Sequence, residues 1–352
     1  KKKRQKRKRK LNETKTPFFP LPTTYYFITA SCSFKVDAFW LDRIGKVRIF
    51  RSSIPLPRYG PLRCSFNSRL RILGTVSLEK RTKKMKVESV WKEEFRNSIK
   101  NSRELNRFFE GNEDDFKQSK SYPLFLPKAY AKKIKNIKGP LGKQFLPNKI
   151  EDEEEEQNIG STDPIGDQEF QKVPQLIHRY KNRALFTPTT KCPIICRYCF
   201  RKNELNQKLP LFKPKFDEVI KYLRQHEEIE EIIFTGGDPL ILGDNQIQEY
   251  LEKFGELKSI KYIRFHTRTP IILPARITKN FCSIIKKARK HFKKVSIALH
   301  SNHREEIDHE VEEAILKLKE TKATLLSQTV LLKGVNDNVD TLKKLFLKMA
   351  EL

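Results

Sequence analysis

Long apolar runs are missing from this chain of 352 residues. No stretch of 18 consecutive apolar residues occurs, and the aromatic-rich segment from Phe18 to Phe34 is broken by Pro20 and Pro22. A helix needs about 20 such residues to cross a bilayer, so a membrane span is rejected. Methionine is scarce, two in all, and none stands before Met85. Only six cysteines are present, and Cys32, Cys64 and Cys282 each stand alone. A disulfide framework therefore lacks its partners, and nothing reads as a secretory signal. Acidic residues are few in the first 84, four against 23 Lys and Arg. Hydrophobic residues still make up 38%, which excludes a collagen-like or wholly disordered chain.

What is present is unevenly placed. Nine of the first ten residues are Lys or Arg. Such a block is solvated and self-repelling, and its chemistry suits nucleic acid or a nuclear address. The plainer reading is a head that belongs to no folded domain. With no Met at position 1, it reads as read-through upstream of a true start or as a fragment boundary; a transit peptide is a weaker option because the Lys block is not amphipathic. Residues 1–84 show no sustained period and are read as a basic extension, disordered or non-native. Residues 85–175 are read as an N-terminal helical region, with a helix expected over Val87 to Phe109. An acidic linker follows at Glu151 to Glu156.

From residue 176 to 352 the pattern changes. Short apolar runs at Ala184–Thr187, Ile232–Phe234, Ile260–Phe265, Val295–Leu299 and Leu325–Leu332 read as buried strands. Between and after them, Phe216–Leu223, Ile247–Phe254, Phe281–Ala288, Ile307–Leu318 and Leu342–Met349 carry apolar residues at helical spacing. Asp244 or Asn245 is the expected cap of the second helix. Strands alternating with helices predict an α/β fold with parallel pairing. Five units are too few for a closed eight-fold barrel; a partial (β/α) barrel is preferred over an open doubly wound sheet. In such folds chemistry gathers at the C-terminal strand ends.

The sharpest motif lies at the first of those ends: Cys192-Pro-Ile-Ile-Cys196-Arg-Tyr-Cys199. Three thiolates within eight residues suit an iron–sulfur cluster or zinc. Structural zinc usually takes four ligands in two short pairs, and no second pair exists; a zinc site completed by a His stays open. Three Cys leave one iron of a [4Fe–4S] cube without a protein ligand, an open position of the kind catalysis needs.

The loop resembles that of the radical S-adenosylmethionine superfamily. Its surroundings narrow the resemblance: His178-Arg179-Tyr180 and Arg183 before it, Phe200-Arg201 closing it, then Thr235-Gly-Gly-Asp-Pro-Leu240, Thr267-Arg268-Thr269-Pro270, Leu273-Pro-Ala-Arg-Ile277, His300-Ser-Asn302-His303 and Gln328 to Asp337. In this order, over about Met85 to Leu352, they resemble the lysine 2,3-aminomutase family. Tyr198 and Phe200 flanking Cys199 look most like the branch that makes (R)-β-lysine for elongation factor P.

The resemblance implies roles. Cys192, Cys196 and Cys199 hold a [4Fe–4S] cluster whose open iron chelates S-adenosylmethionine, and electron transfer then yields a 5′-deoxyadenosyl radical. Gly236 and Gly237 let backbone approach the methionyl end, with Asp238 beside them. Tyr198 faces the adenine, and His300 and Gln328 lie near the same cofactor. Arg201 grips the substrate α-carboxylate, a planar bidentate match. Arg179 grips the phosphate of pyridoxal 5′-phosphate. Arg183, Arg268 and Arg276 serve similar charges or simple salt bridges.

The family's pyridoxal lysine and its substrate-reading Asp residues, expected near a C-terminus with a sixth strand, have no match here. Lys333 and Lys343 are in the wrong context. A truncated chain and a product unable to form the internal imine both stay open, so cluster binding is inferable and complete turnover is not. The expected function is conversion of free L-lysine to β-lysine with an electron-donating reductant, in the cytoplasm, as a monomer or homo-oligomer. The alternatives are another aminomutase, such as one for glutamate, and a basic nucleic-acid-binding protein with a structural metal.

Overall fold

The computed structural model describes residues 90–111, 116, 123–148, 151, 163–202 and 215–352, together with the backbone of three strands inside residues 27–52. Those three are β1 (Phe27–Ser31), β2 (Lys35–Leu41) and β3 (Val47–Ser52). Seven more follow: β4 (Gln171–Val173), β5 (Leu176–Tyr180), β6 (Arg183–Thr189), β7 (Glu231–Gly236), β8 (Tyr262–Thr267), β9 (Lys294–His300) and β10 (Thr324–Val330). The helices are α1 (Ser102–Phe109), α2 (Lys128–Ala131), α3 (Pro140–Phe145), α4 (Phe216–Gln225), α5 (Asp244–Gly255), α6 (Thr269–Ile272), α7 (Lys279–Ala288), α8 (His309–Lys319) and α9 (Val339–Glu351). None of the described helices is long and apolar enough to cross a membrane.

The predicted alternation holds. Strands β6 to β10 pair in parallel and lie in chain order, each followed by helix. A doubly wound sheet reverses its strand order at a switch point; this one does not, so the arrangement is an incomplete barrel. Antiparallel strands flank it on both sides, β5 and β4 beyond β6 and β1 to β3 beyond β10. The central strands read as near-continuous apolar runs because helices cover them; β9 is buried from Val295 to Leu299.

The main core forms where strands meet α4 and α5. The Phe186 ring lies 5.0–5.5 Å from those of Phe216, Phe234, Tyr250 and Phe254. Phe234 stacks on Phe265 at 4.5 Å. Helices begin on the residues that satisfy their free N–H groups: Thr278, Asp308 and Asn338 each accept from the residue three positions on. A second core joins Ile99, Leu105, Leu126, Tyr130 and Phe145 to Ile194 of the cysteine loop and Ile272 of α6. The described part of residues 99–146 is thus packed against that loop.

Four expectations change. The helix expected over Val87 to Phe109 is two: about two turns at 90–96, then α1, with Ile99 bridged to Leu126 between them. Ser98 and Asn101 cause the break, for each bonds nearby backbone (Ser98 Oγ to Phe95 O, 2.8 Å; Glu104 N to Asn101 Oδ1, 2.9 Å) in place of the helical ladder. Helix α5 starts at Asp244 behind Gly243, so neither Asp244 nor Asn245 caps it; Asp244 instead faces Arg276 at 2.8 Å. Inside residues 1–84, where no period was expected, β1 pairs along the outer edge of β10; a sheet edge offers unpaired backbone groups whatever the side-chain pattern. The remainder of that extension, and the acidic run after Glu151, lie outside the described residues. The β4–β5 hairpin carries no clear period in the sequence, its strands being three and five residues long.

Replacing Phe186 by Ala removes the ring shared by four others, and a loss of about 3–5 kcal/mol in unfolding free energy is expected. Urea titration followed by far-UV circular dichroism measures it.

Candidate functional site

The C-terminal ends of β6 to β10 open on one cavity of about 530 Å³. Eleven residues singled out from the sequence line it: Cys192, Cys196, Cys199, Tyr198, Arg201, Arg179, Gly236, Gly237, Asp238, His300 and Gln328. His266, Thr267 and Arg268 join them, with Ile165 and Asp167 from the segment before β4.

The cysteine loop has no regular structure, and its backbone is held from outside. Ile195 N donates to Phe125 O and Arg197 N to Gln144 O, both at 2.9 Å. The Arg197 side chain reaches Pro123 O and is ion-paired with Glu151. At the loop's start, Asp238 N donates to Lys191 O and Gly237 N to Thr189 O, both at 2.8 Å. This contact explains the two glycines. A Cβ on Gly237 would stand 2.4 Å from Lys191 O, and Gly236 has φ +103, a conformation side chains disfavour. The close approach is to the chain's own backbone.

Asp238 locks two strand ends together. One oxygen accepts from Leu240 N and Thr267 Oγ1 (3.0 and 2.7 Å), the other from Arg268 N and Thr269 N (2.6 and 3.0 Å). Burial raises its pKa and these donors oppose the rise. On the opposite wall, Tyr198 Oη accepts from Asn302 Nδ2 at 2.7 Å and lies 3.3 Å from His300 Nε2. His300 and Gln328 are register partners on β9 and β10, so they stand side by side.

Asp167 carries no sequence signal, yet its buried carboxylate pairs with Arg201 and lies 3.8 Å from Arg179. Arg179 also donates to Ile165 O and sits over the Phe170 ring. The arginines left together by the sequence now separate. Arg183 and Arg268 line the cavity. Arg276 is wholly buried elsewhere, between the Trp91 and Phe281 rings at 4.9 and 4.8 Å, bonding Leu240 O and Leu242 O; its place is structural.

Burial pushes the Cys192 thiol well above its ordinary range, with Cys199, Asp238 and Cys196 adding negative charge. Cys196 is raised by burial and eased by Arg268. Among the described residues no three potential ligands are already gathered as a closed metal set. The donor chemistry still fits a cationic cluster: three thiols on eight residues crowd one another as thiolates unless positive charge lies among them. A pyridoxal phosphate fits in part, since Arg179 and Arg183 offer cations for a phosphate but no lysine lines the cavity among the described residues.

Comparison with known proteins agrees with this geometry. The model of the radical SAM superfamily matches residues 186–345, which defines the class. L-lysine 2,3-aminomutase of Haemophilus influenzae is 36% identical over 263 residues, covering 73% of this chain and 76% of that protein. L-lysine 2,3-aminomutase of Buchnera aphidicola is also 36% identical, over 282 residues, covering 78% and 81%. Glutamate 2,3-aminomutase of Clostridioides difficile is 34% identical over 204 residues, 58% of this chain and 47% of its own length. The chain belongs to the lysine 2,3-aminomutase family, an isomerase class whose superfamily implies a [4Fe–4S] cluster and S-adenosylmethionine.

His266 supplies a pH signature. Burial first, then the charges of Arg264 and Arg201, lower its pKa to about 4, against about 6.5 in an unfolded chain. Between those values the unfolded chain takes a proton that the folded one refuses, so stability present at pH 7 falls as the pH drops from about 6.5 toward 4. His300 is lowered by burial in the same direction. His266→Gln is expected to flatten the loss of thermal midpoint over that window, measured by differential scanning calorimetry at successive pH values.

Proposed function

We propose that this chain is a radical S-adenosylmethionine aminomutase that moves the α-amino group of a free amino acid to the β-carbon, with L-lysine as substrate. The observation that carries the reading is the convergence of three closely spaced thiols and Arg201 on one cavity at the C-terminal ends of parallel strands. When bound, the cluster and S-adenosylmethionine supply one-electron chemistry and a carbon-centred radical.

The chain's own residues divide the remaining work. Cys192, Cys196 and Cys199 would hold the cluster. The Gly236-Gly237 turn, His300, Gln328 and the Tyr198 ring form the walls where the sulfonium cofactor would lie. Arg201 would receive the substrate α-carboxylate, with Asp167 holding the guanidinium in place until the substrate arrives. Arg179 and Arg183 would take the phosphate of a pyridoxal cofactor, and no step is routed through that group because no lysine among the described residues lines the cavity. Ile165, Ile177 and Ile233 give the cavity part of its apolar lining.

Tyr198 and Phe200 beside Cys199 support a product destined for elongation factor P. Three reduced thiols and a low-potential cluster favour a reducing compartment, the cytoplasm, with an electron-donating protein as partner. A homo-oligomer belongs to the same reading. A nucleic-acid-binding protein with a structural metal leaves the arginine-lined cavity without a purpose.

The test is anaerobic reconstitution with iron and sulfide. About four iron per chain are expected for the cluster type that three such Cys hold, with cleavage of added S-adenosylmethionine after reduction, and Cys196→Ser is expected to lose most of the iron. L-Lysine and L-glutamate are then offered separately with pyridoxal phosphate, and the β-amino product is identified by chromatography. Stoichiometric zinc without iron sinks the reading, and β-glutamate as the sole product reassigns the substrate.

A further inference from the structure

One arginine in the cavity has a job that neither substrate nor phosphate explains. Arg268 follows β8 directly and is almost wholly buried. Its Nη2 donates to Glu306 Oε1 at 2.7 Å and to Gln144 Oε1 at 2.9 Å. Its Nη1 points the other way and lies 3.6 Å from Cys196 Sγ. The guanidinium plane is fixed by the Phe145 ring at 4.7 Å, with Tyr198 at 5.7 Å beyond.

Glu306 is as tightly held. It accepts from Gln144 Nε2 at 2.8 Å and from Ser301 Oγ at 3.0 Å, and it is fully buried. Gln144 is fully buried too; its amide oxygen accepts from Asn302 Nδ2 at 3.0 Å and its backbone carbonyl from Arg197 N. The assembly ties α3, the end of β8 and the turn after β9 to the cysteine loop. Burying five polar side chains, Arg268, Glu306, Gln144, Ser301 and Asn302, is costly unless each is bonded, and here the bonds lead to one sulfur.

We infer that Arg268 is a positioning residue for the cluster, donating through Nη1 to the sulfur of Cys196, with Glu306 as the counter-charge that tempers it. The inference rests on the three Cys being cluster ligands. Hydrogen bonds to ligand sulfurs and nearby net charge are among the main controls on the potential of an iron–sulfur cluster. A cationic donor stabilises the reduced cluster, which carries one more negative charge, and so raises the potential. Removing Arg268 leaves Glu306 as an uncompensated negative charge and lowers it. Removing the charge of Glu306 leaves Arg268 uncompensated and raises it. A purely structural role for the pair gives no opposite signs.

The experiment compares the reconstituted full chain with Arg268→Gln and Glu306→Gln, each loaded to equal iron, by redox titration followed through the paramagnetic signal of the reduced cluster. The midpoint of Arg268→Gln is expected below that of the parent chain and that of Glu306→Gln above it; Arg268→Lys, which keeps the charge and loses the fork, falls between Arg268→Gln and the parent. Midpoints that coincide with the parent, or that all move the same way, overturn the inference. Either variant alone decides the sign if the other fails to fold. A parent chain that takes up no iron sinks the functional reading itself, a result recognisable before any variant is titrated.

Discussion

The cysteine loop has no helix or strand to hold it, so its shape depends on hydrogen bonds made by others. Backbone groups at Phe125 and Gln144 grip it from one side, and the Gly-Gly turn after β7 grips its start from the other. Each contact is backbone to backbone at 2.8–2.9 Å, which leaves little room for the loop to shift. The two glycines follow from this constraint, because a side chain at Gly237 would displace the main chain next to Cys192. The three thiols therefore face the cavity as a consequence of how the N-terminal region docks on the barrel.

Charge in the cavity is arranged in pairs. Asp167 faces Arg201 and Arg179, Glu306 faces Arg268, and Asp238 is consumed by donors from β8. Buried charges persist only when paired and hydrogen-bonded. The two groups differ in what can replace the partner. Asp167 approaches from a segment before β4 and meets arginines that a substrate carboxylate or a phosphate also suits. Glu306 is enclosed by Gln144, Ser301 and Asn302 and stays with the protein. In the proposed reading the first pair exchanges with small molecules, and the second stays beside a thiol that would hold the cluster.

Much of the barrel was readable because its signals are local. Strands β7 and β9 are apolar runs covered by helices, and α8 carries Val311, Ala314, Ile315 and Leu318 on one face. The three Cys declare themselves by spacing alone. What escaped was carried by long-range contact. Ser98 and Asn101 break the helix locally, but the bridge that Ile99 makes in the gap needs Leu126, 27 residues on. Asp167 meets Arg201 across a separation of 34, and Gln144 meets Glu306 across 162. The capping expectation at Asp244 failed because Arg276, far along the chain, claimed the carboxylate.

By itself the sequence determined the alternation of strand and helix from β6 to α9, the positions of the thiols and the arginines that flank them. Those follow from periodicity and spacing, which act over a few residues. Only the tertiary structure decided which arginine faces the cavity and which is sealed between Trp91 and Phe281, and which carboxylate each one meets. Pairing of buried charges is set by who else is buried nearby, and no stretch of chain carries that information alone.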